Sequence, residues 1–105
     1  MALLLNRSDV QKLLPMSKAI DVVEAAFGEL AAETAEMPDR TVMIDHAVGG
    51  WIAYMPAYLK LGGALGIKAV TVYKENPAKF GLPTTIGTIL VQDNKTGVVV
   101  AAMDG

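Results

Sequence analysis

The stretch GALGIKAVTVY, from Gly63 to Tyr73, has the composition of a packed β-strand, and it decides how the rest of the chain is interpreted. Most of its side chains are β-branched, aromatic or small, which suits a pleated surface between packed neighbours. Lys68 interrupts this apolar run. Because alternate residues of a strand share a face, Lys68 lies on the same face as Val70 and Val72, and neither face is plainly polar.

Short β-type runs lie on both sides of this stretch, separated by segments rich in turn-forming residues. The predicted strands are 40–45, 51–55, 65–73, 85–92 and 98–103, with a short edge strand at 3–5. The predicted turns are 48–50, 60–63, 74–83 and 93–97, each with Gly, Pro, Asn or Asp where the backbone must reverse. In the last of them we expect Gly97 to adopt the left-handed conformation of a hairpin loop.

The N-terminal third has the periodicity of helices rather than strands. The segment SDVQ, residues 8–11, has the S-x-x-Q form of a capping box and predicts a short helix to about residue 14. Pro15 suits the first turn of a second helix, which we expect to continue to about residue 35. Its apolar residues recur at three- and four-residue steps, at Ile20, Val23, Phe27, Leu30 and Ala31. Helices followed by strands predict an α+β domain, with two N-terminal helices packed on a largely antiparallel, mixed sheet.

Composition indicates one domain with an apolar excess. Apolar residues make up 52% of the 105 positions and the mean hydropathy is +0.38, so a domain of this size has more apolar surface than it easily covers. We therefore predict a homodimer or higher oligomer, or a partner domain, over part of that surface. The net charge of −2, without basic runs, makes nucleic acid an improbable partner.

Two kinds of site are excluded by residue counts. The chain has no cysteine and a single histidine, His46, so neither a thiolate metal site nor a zinc site of several histidines can form. The opening residues are too short an apolar run for a secretory signal, and no segment approaches the length of a membrane span. We expect no membrane partner and a cytoplasmic location.

Two cations are the main candidates for chemistry. Arg40 follows Pro38 at the start of a predicted strand, where its planar guanidinium could hold a carboxylate through two hydrogen bonds or simply remain solvated. Lys68 either extends its ammonium to water from an edge strand or lies at the floor of a pocket, where it holds a carboxylate or handles a proton. In a third interpretation, an internal acidic partner holds Lys68.

Three weaker candidates lie near strand ends. Met55, in the segment MPAY, could line a substrate pocket or belong to the core. Thr84 could offer its hydroxyl to a ligand or simply begin a strand. His46 follows Asp45, but neighbours along a strand point to opposite faces, which disfavours an acid–base pair.

Six segments follow one another in an order that resembles a known enzyme family. They are LLPMSKAIDVVEAAFGELA (13–31), MPDRTVM (37–43), YMPAYL (54–59), LGIKAVTVY (65–73), NPAKFGLPTTIGTILVQDNKTG (76–97) and AAMDG (101–105). Their order and spacing resemble the N-terminal part of the ornithine cyclodeaminase and mu-crystallin family, which includes alanine dehydrogenases, lysine cyclodeaminases and ketimine reductases. The resemblance covers essentially the whole chain.

The resemblance implies roles for several residues. It implies a substrate-binding and dimerisation domain, in which Arg40 and Lys68 hold the carboxylate of an amino or keto acid and Thr84 lies near the nicotinamide cofactor. Lys68 is the residue we predict to be catalytic, and Met55 is predicted to line the substrate site.

The family resemblance also implies a Rossmann domain that binds NAD or NADP, and none of the ten glycines here forms a strand, G-x-G-x-x-G and helix unit. We therefore expect residues 1–105 to be a single domain truncated before the Rossmann domain, without a cofactor or full catalysis of its own. The alternative is a stand-alone oligomeric binding or assembly module without enzymatic activity. In a third interpretation the protein is purely structural, and Arg40 and Lys68 no longer have a binding role.

Overall fold

The chain folds into three helices and one seven-stranded sheet, in a computed structural model that describes residues 1–105. The helices are α1 (Arg7–Leu13), α2 (Met16–Ala31) and α3 (Asn76–Phe80). The strands are β1 (Leu3–Leu5), β2 (Ala35–Glu36), β3 (Thr41–Asp45), β4 (Gly50–Leu59), β5 (Ala64–Tyr73), β6 (Thr85–Asp93) and β7 (Val99–Asp104). The predicted α+β class is confirmed.

The sheet is built around two long antiparallel strands. Its order is β1-β7-β6-β5-β4-β2, and β3 also pairs with β4. β4 and β5 pair over ten residues each, from Gly50 opposite Tyr73 to Leu59 opposite Ala64. All pairs are antiparallel except β1 with β7, which makes the sheet mixed, as predicted.

The first helix begins with a different capping residue from the one predicted. The side chain of Asn6 accepts a hydrogen bond from the Asp9 amide at 3.0 Å, and the Asp9 carboxylate accepts one from the Asn6 amide at 3.0 Å. This reciprocal pair is a capping box at Asn6 and Asp9, so the prediction of a box at Ser8 and Gln11 was wrong. Both pairs have the required spacing, but the chain leaves β1 immediately before Asn6, which places the helix start there.

Two predicted boundaries also change because of local backbone geometry. α2 ends at Ala31 rather than near residue 35, since Glu33 takes a positive φ of 60° and β2 then pairs with the end of β4. The predicted turn 74–83 contains the short helix α3, which ends at Gly81 with a left-handed φ of 63°. Gly97 has the predicted left-handed conformation, with a φ of 75°.

The strand predicted at 51–55 continues to Leu59 through Pro56, because the edge of β4 is open there. β3 pairs with β4 only as far as Tyr54, and β2 pairs with it again from Tyr58. Residues 55–57 therefore have no partner on that side, and a proline needs no hydrogen-bond acceptor there. The result is a notch in the sheet, defined by residues 55–57, beneath the segment that joins β2 to β3.

α2 is held near the sheet mainly by polar contacts. The Glu29 carboxylate accepts hydrogen bonds from the amides of Leu61 at 2.9 Å and Gly62 at 3.0 Å, at the tip of the β4–β5 hairpin. Beside it, Lys60 forms an ion pair with Glu36 at 2.7 Å, and that carboxylate raises the pKa of Lys60 above its ordinary value of 10.5. The Glu29 hydrogen bonds fix the C-terminal end of α2 to the hairpin, and the Lys60–Glu36 pair fixes β2 to it.

The apolar stripe of α2 remains largely uncovered. Ile20 is 59% exposed and Phe27 65% exposed, and α2 has no buried residue. Near its C-terminal end, Ala26, Phe27 and Leu30 face sheet residues across a shallow depression. The predicted packing of helices on the sheet is therefore only partly formed. None of the helices has the length and apolar character needed to span a membrane.

Candidate functional site

Met55 and Lys68 face each other at the centre of the sheet. Met55 lies opposite Lys68 in the β4–β5 register, and Lys68 lies opposite Ile89 in the β5–β6 register. Directly opposed residues of antiparallel strands point to the same face, so these three side chains form one row across it. Two of the predicted site residues are thus neighbours.

Arg40 joins this row from the other side of Met55. It immediately precedes β3, whose first residue Thr41 pairs with Tyr54, so Arg40 lies where that pairing ends, next to Met55, which is unpaired on that edge. The two residues border one depression of about 220 Å³ over the notch in β4. Its lining residues are Met37, Pro38, Asp39, Arg40, Met55, Pro56 and Ala57.

Lys68 borders a second, mainly apolar depression of about 270 Å³. It is lined by Met55, Ala57, Leu59, Ala64, Leu65, Gly66, Ile67, Lys68, Ile89 and Val91. Lys68 is half-buried, and its side chain reaches over β6: a Cβ atom added to Gly87 would lie 3.2 Å from the Lys68 Cε. The lysine therefore lies against the sheet surface.

The two depressions meet at Met55 and Ala57 without merging into one pocket. Arg40 and Lys68 are two strands apart, which at the usual strand spacing separates their Cα atoms by about 10 Å. The structure thus brings both predicted cations and Met55 to one face, with the lysine extended away from Arg40.

Neither cation has an acidic partner. The ion pairs of the chain join Arg7 to Asp104, Lys60 to Glu36 and Lys79 to Glu75. Lys68 is therefore not held by an internal carboxylate, which was one interpretation of the sequence. Two cations without an ion-pair partner beside an apolar floor can attract an anion with an apolar body, although the Asp39 carboxylate borders the Arg40 depression and reduces its net positive charge.

Three other candidates lie outside this row. Thr84 precedes β6, and its carbonyl accepts a hydrogen bond from the Tyr73 amide at 2.8 Å. Tyr73 lies five positions after Lys68 in β5, about 17 Å along an extended strand. His46 is exposed in the turn after β3, where the Asp45 carboxylate accepts a hydrogen bond from the Ala47 amide at 3.0 Å rather than from the imidazole.

Two residues near the site were missed by the sequence reasoning. Asp39 borders the Arg40 depression and is exposed there. Gly87 lies within β6, between Ile86 and Thr88, under the Lys68 side chain. A glycine inside a strand is a signal that another group approaches the backbone closely, and it was available from the sequence.

The connections between strands bear on whether this chain could hold a dinucleotide. The only parallel strand pair is β1 with β7, at opposite ends of the chain, and no parallel pair is joined directly through a crossover helix. A Rossmann site needs such a unit, with glycines leading into the helix. The described residues do not fit a dinucleotide in that manner, and no three His, Cys, Asp or Glu side chains gather as a metal site.

Comparison with known proteins gives consistent matches along the whole chain. Residues 1–105 match the ornithine cyclodeaminase/mu-crystallin family. Alanine dehydrogenase from Archaeoglobus fulgidus is 36% identical over 102 residues, which are 97% of this chain and 30% of the relative. Delta(1)-pyrroline-2-carboxylate reductase from Bacillus cereus is 31% identical over 98% of this chain and 31% of the relative.

Solved structures agree with these matches. The Thermococcus litoralis Delta(1)-pyrroline-2-carboxylate reductase, in complex with NADH and L-proline, is 46% identical with a TM-score of 0.93. That match covers 98% of this chain and 32% of the other. An archaeal alanine dehydrogenase dimer with bound NAD is 34% identical with a TM-score of 0.89, over 98% of this chain and 31% of the other. The chain thus spans about 30% of the length of its curated relatives.

Proposed function

We propose that residues 1–105 are the substrate-binding and dimerisation domain of an NAD(P)-dependent amino-acid or imine oxidoreductase. The premise is that the chain belongs to the ornithine cyclodeaminase/mu-crystallin family. The domain is one part of a longer enzyme in this proposal. It binds a small amino or keto acid and does not complete the reaction alone. The cytoplasmic location predicted from the sequence belongs to the same proposal.

The row of Arg40, Met55 and Lys68 is the observation that carries this proposal. Arg40 supplies a planar pair of N–H donors suited to both oxygens of a carboxylate, and Lys68 adds a point charge from the other side. Met55 lies between them as an apolar, adaptable surface for the carbon skeleton of the substrate. We assign Lys68 a proton-handling role as well, since it is the one ionisable residue that borders the mainly apolar depression.

Hydride transfer is assigned to no residue of this chain. NAD or NADP would supply the hydride acceptor when it is bound by another part of the enzyme, and these residues only hold and orient the substrate. For Thr84 we retain, from the family resemblance, a contact with that cofactor. Its distance from Lys68 along the sheet means that it does not join the carboxylate site.

Dimerisation is proposed on the uncovered apolar surface. Only four of 105 residues are buried, namely Gly50, Ala53, Val70 and Ala101, whereas apolar residues make up 52% of the chain. Removing apolar area from water contributes about 25 cal/mol per Å² before the entropic costs of association are subtracted, so a large uncovered apolar surface favours pairing. Sedimentation at micromolar concentration should give a dimer or a larger oligomer, and a monomer near 11.1 kDa would contradict this part.

A stand-alone binding module is the second candidate function. The lack of any dinucleotide-binding unit within residues 1–105 favours it as a description of what this chain does in isolation. Both functions use the same carboxylate site, so ligand binding does not separate them. The coding sequence after Gly105 does: an in-frame dinucleotide-binding motif supports the enzyme domain, and a stop codon supports the module.

Carboxylate binding is the direct test of the site. We expect L-proline or pyruvate to bind in the millimolar range, about −4 kcal/mol, because the site is open and water competes. Trp51 lies on the same face, four residues before Met55, and its fluorescence can report binding. Lys68→Met should weaken binding about tenfold without loss of stability, because it removes an unpaired cation and keeps an unbranched side chain out to Cε.

The matched control for that test is Lys18→Met. Lys18 is an exposed lysine of α2 outside both depressions, so its replacement removes the same charge at a distance from the site. Equal weakening by both variants would mean that net charge, not the site, controls binding. Absence of binding to the parent chain at tens of millimolar would contradict the proposed site.

A further inference from the structure

Gly87 has no conformational reason to be a glycine. It lies inside β6, it pairs with Val70 of β5, and its φ is not positive. Glycine in a strand interior loses more backbone entropy on folding than other residues and offers no side chain to pack. The reason for this residue must therefore lie in what approaches its backbone.

Two groups lie in tight contact with the position that a side chain at residue 87 would take. An added Cβ would lie 3.2 Å from the Lys68 Cε and 3.1 Å from the carbonyl oxygen of Gly105. The Gly105 amide donates a hydrogen bond to the Gly87 carbonyl at 3.0 Å, which fixes this backbone in place. Lys68 is the diagonal neighbour of Gly87, on the same face, so its methylene chain lies across β6 through the gap.

We propose that Gly87 is the positioning residue for Lys68, and that the gap left by its missing side chain holds the lysine chain flat across β6. The ammonium is one bond beyond Cε, so the gap determines that the charge lies over β6 beside the end of β7. This inference rests on the proposed carboxylate site and adds Gly87 as the residue that orients the Lys68 side chain. Gly28 gives a contrast, because a Cβ added there would meet nothing within 4 Å.

The geometry can be tested on the unmodified 105-residue chain. Proton NMR should show a nuclear Overhauser effect between the ε-protons of Lys68 and the α-protons of Gly87. This signal requires no ligand and no variant, so it decides the placement even if carboxylates do not bind. Its absence, with both resonances assigned, would overturn the proposal.

The effect on binding is tested with Gly87→Ala and L-proline as the probe. The new methyl group displaces the lysine chain, and we expect the dissociation constant to rise about fivefold, since charged pairs are sensitive to small misplacement. In the Lys68→Met background the same change should have no further effect. An equal loss in both backgrounds would show that Gly87→Ala acts through the Gly105 backbone instead, and would overturn the proposal.

Gly28→Ala is the control, with no expected change in affinity. If the parent chain does not bind L-proline, the proposed carboxylate site fails. A shift of the Lys68 ε-resonances in Gly87→Ala, absent in Gly28→Ala, would still support the positioning. Unshifted ε-resonances in Gly87→Ala would contradict it.

Discussion

The central strands and helix α2 are both strongly apolar, but different interactions hold them in place. β4 and β5 pair along their whole length, and two of the four buried residues, Ala53 and Val70, lie opposite each other there. α2 has no buried residue and is attached near its C-terminal end, chiefly through Glu29. Apolar composition alone therefore does not predict burial in this chain. The sheet should tolerate little change, whereas α2 should tolerate much.

The largest expected difference is between a glycine-to-alanine substitution in the sheet and the same substitution in α2. Gly66→Ala would bring a Cβ within 2.6 Å of the Leu90 carbonyl oxygen, so β6 must move, and we expect a loss of about 2–3 kcal/mol in the free energy of unfolding. Gly28→Ala, in open space within α2, should instead stabilise the chain by about 0.5–1 kcal/mol. Urea unfolding measures both. Equal effects would refute the contrast between sheet and helix.

A smaller effect is expected where the two regions are joined. Glu29→Gln weakens the charge-assisted hydrogen bonds to the amides of Leu61 and Gly62, and we expect a loss of about 1 kcal/mol. Hydrogen exchange should become faster in α2 and stay slow in β5. Glu24→Gln is the control, because Glu24 lies on the same helix and makes no hydrogen bond or ion pair in the structure. Matching effects of the two variants would show that Glu29 does not hold the helix.

Substitution within the uncovered stripe should have less effect still. Ile20 is 59% exposed, so Ile20→Gln removes little buried area, and we expect the free energy of unfolding to change by less than about 0.5 kcal/mol. The measurement is urea unfolding at low protein concentration, where association is weakest. A loss above about 1 kcal/mol under those conditions would mean that other residues cover the stripe in solution.

The smallest effect is expected from acid at the β6–β7 turn. Hydrogen bonds from the Thr96 hydroxyl, and then from the Thr96 and Lys95 amides, lower the pKa of Asp93 below its ordinary value of 3.8. The resulting stabilisation is complete above that value and is lost as pH falls through the lower pKa of the folded chain. NMR titration of Thr96 should follow this change. If the Thr96 signal still changed with pH in Asp93→Asn, the change would not come from the Asp93 carboxyl.

The contrast between sheet and helix explains which predictions from sequence succeeded. Strand positions followed from composition and turn residues, and the stripe of α2 followed from its periodicity, because both are local properties. Packing of that stripe on the sheet was not predictable in the same way. It depends on whether a second surface is available, and the residues described here provide one only near Phe27 and Leu30.

The predictions about the candidate site also divide into those that rest on local sequence and those that need the tertiary structure. The amino-acid sequence by itself determined the α+β class, the left-handed Gly97 and the identities of Arg40 and Lys68 as unusual cations, and its motifs indicated the family. It also contained an equally good spacing for a wrong helix cap at Ser8. When two neighbouring segments both have the spacing of a capping box, the sequence alone does not determine which of them begins the helix.

Only the tertiary structure decided that Arg40, Met55 and Lys68 form one row, that no carboxylate neutralises the cations, and that Gly87 lies under the lysine. The row depends on register, and register is set by the summed backbone hydrogen bonds and side-chain packing of whole strands. A slip of one residue would move Lys68 to the other face of the sheet. No local pattern in the sequence carries that information, because 28 positions separate Arg40 from Lys68 along the chain.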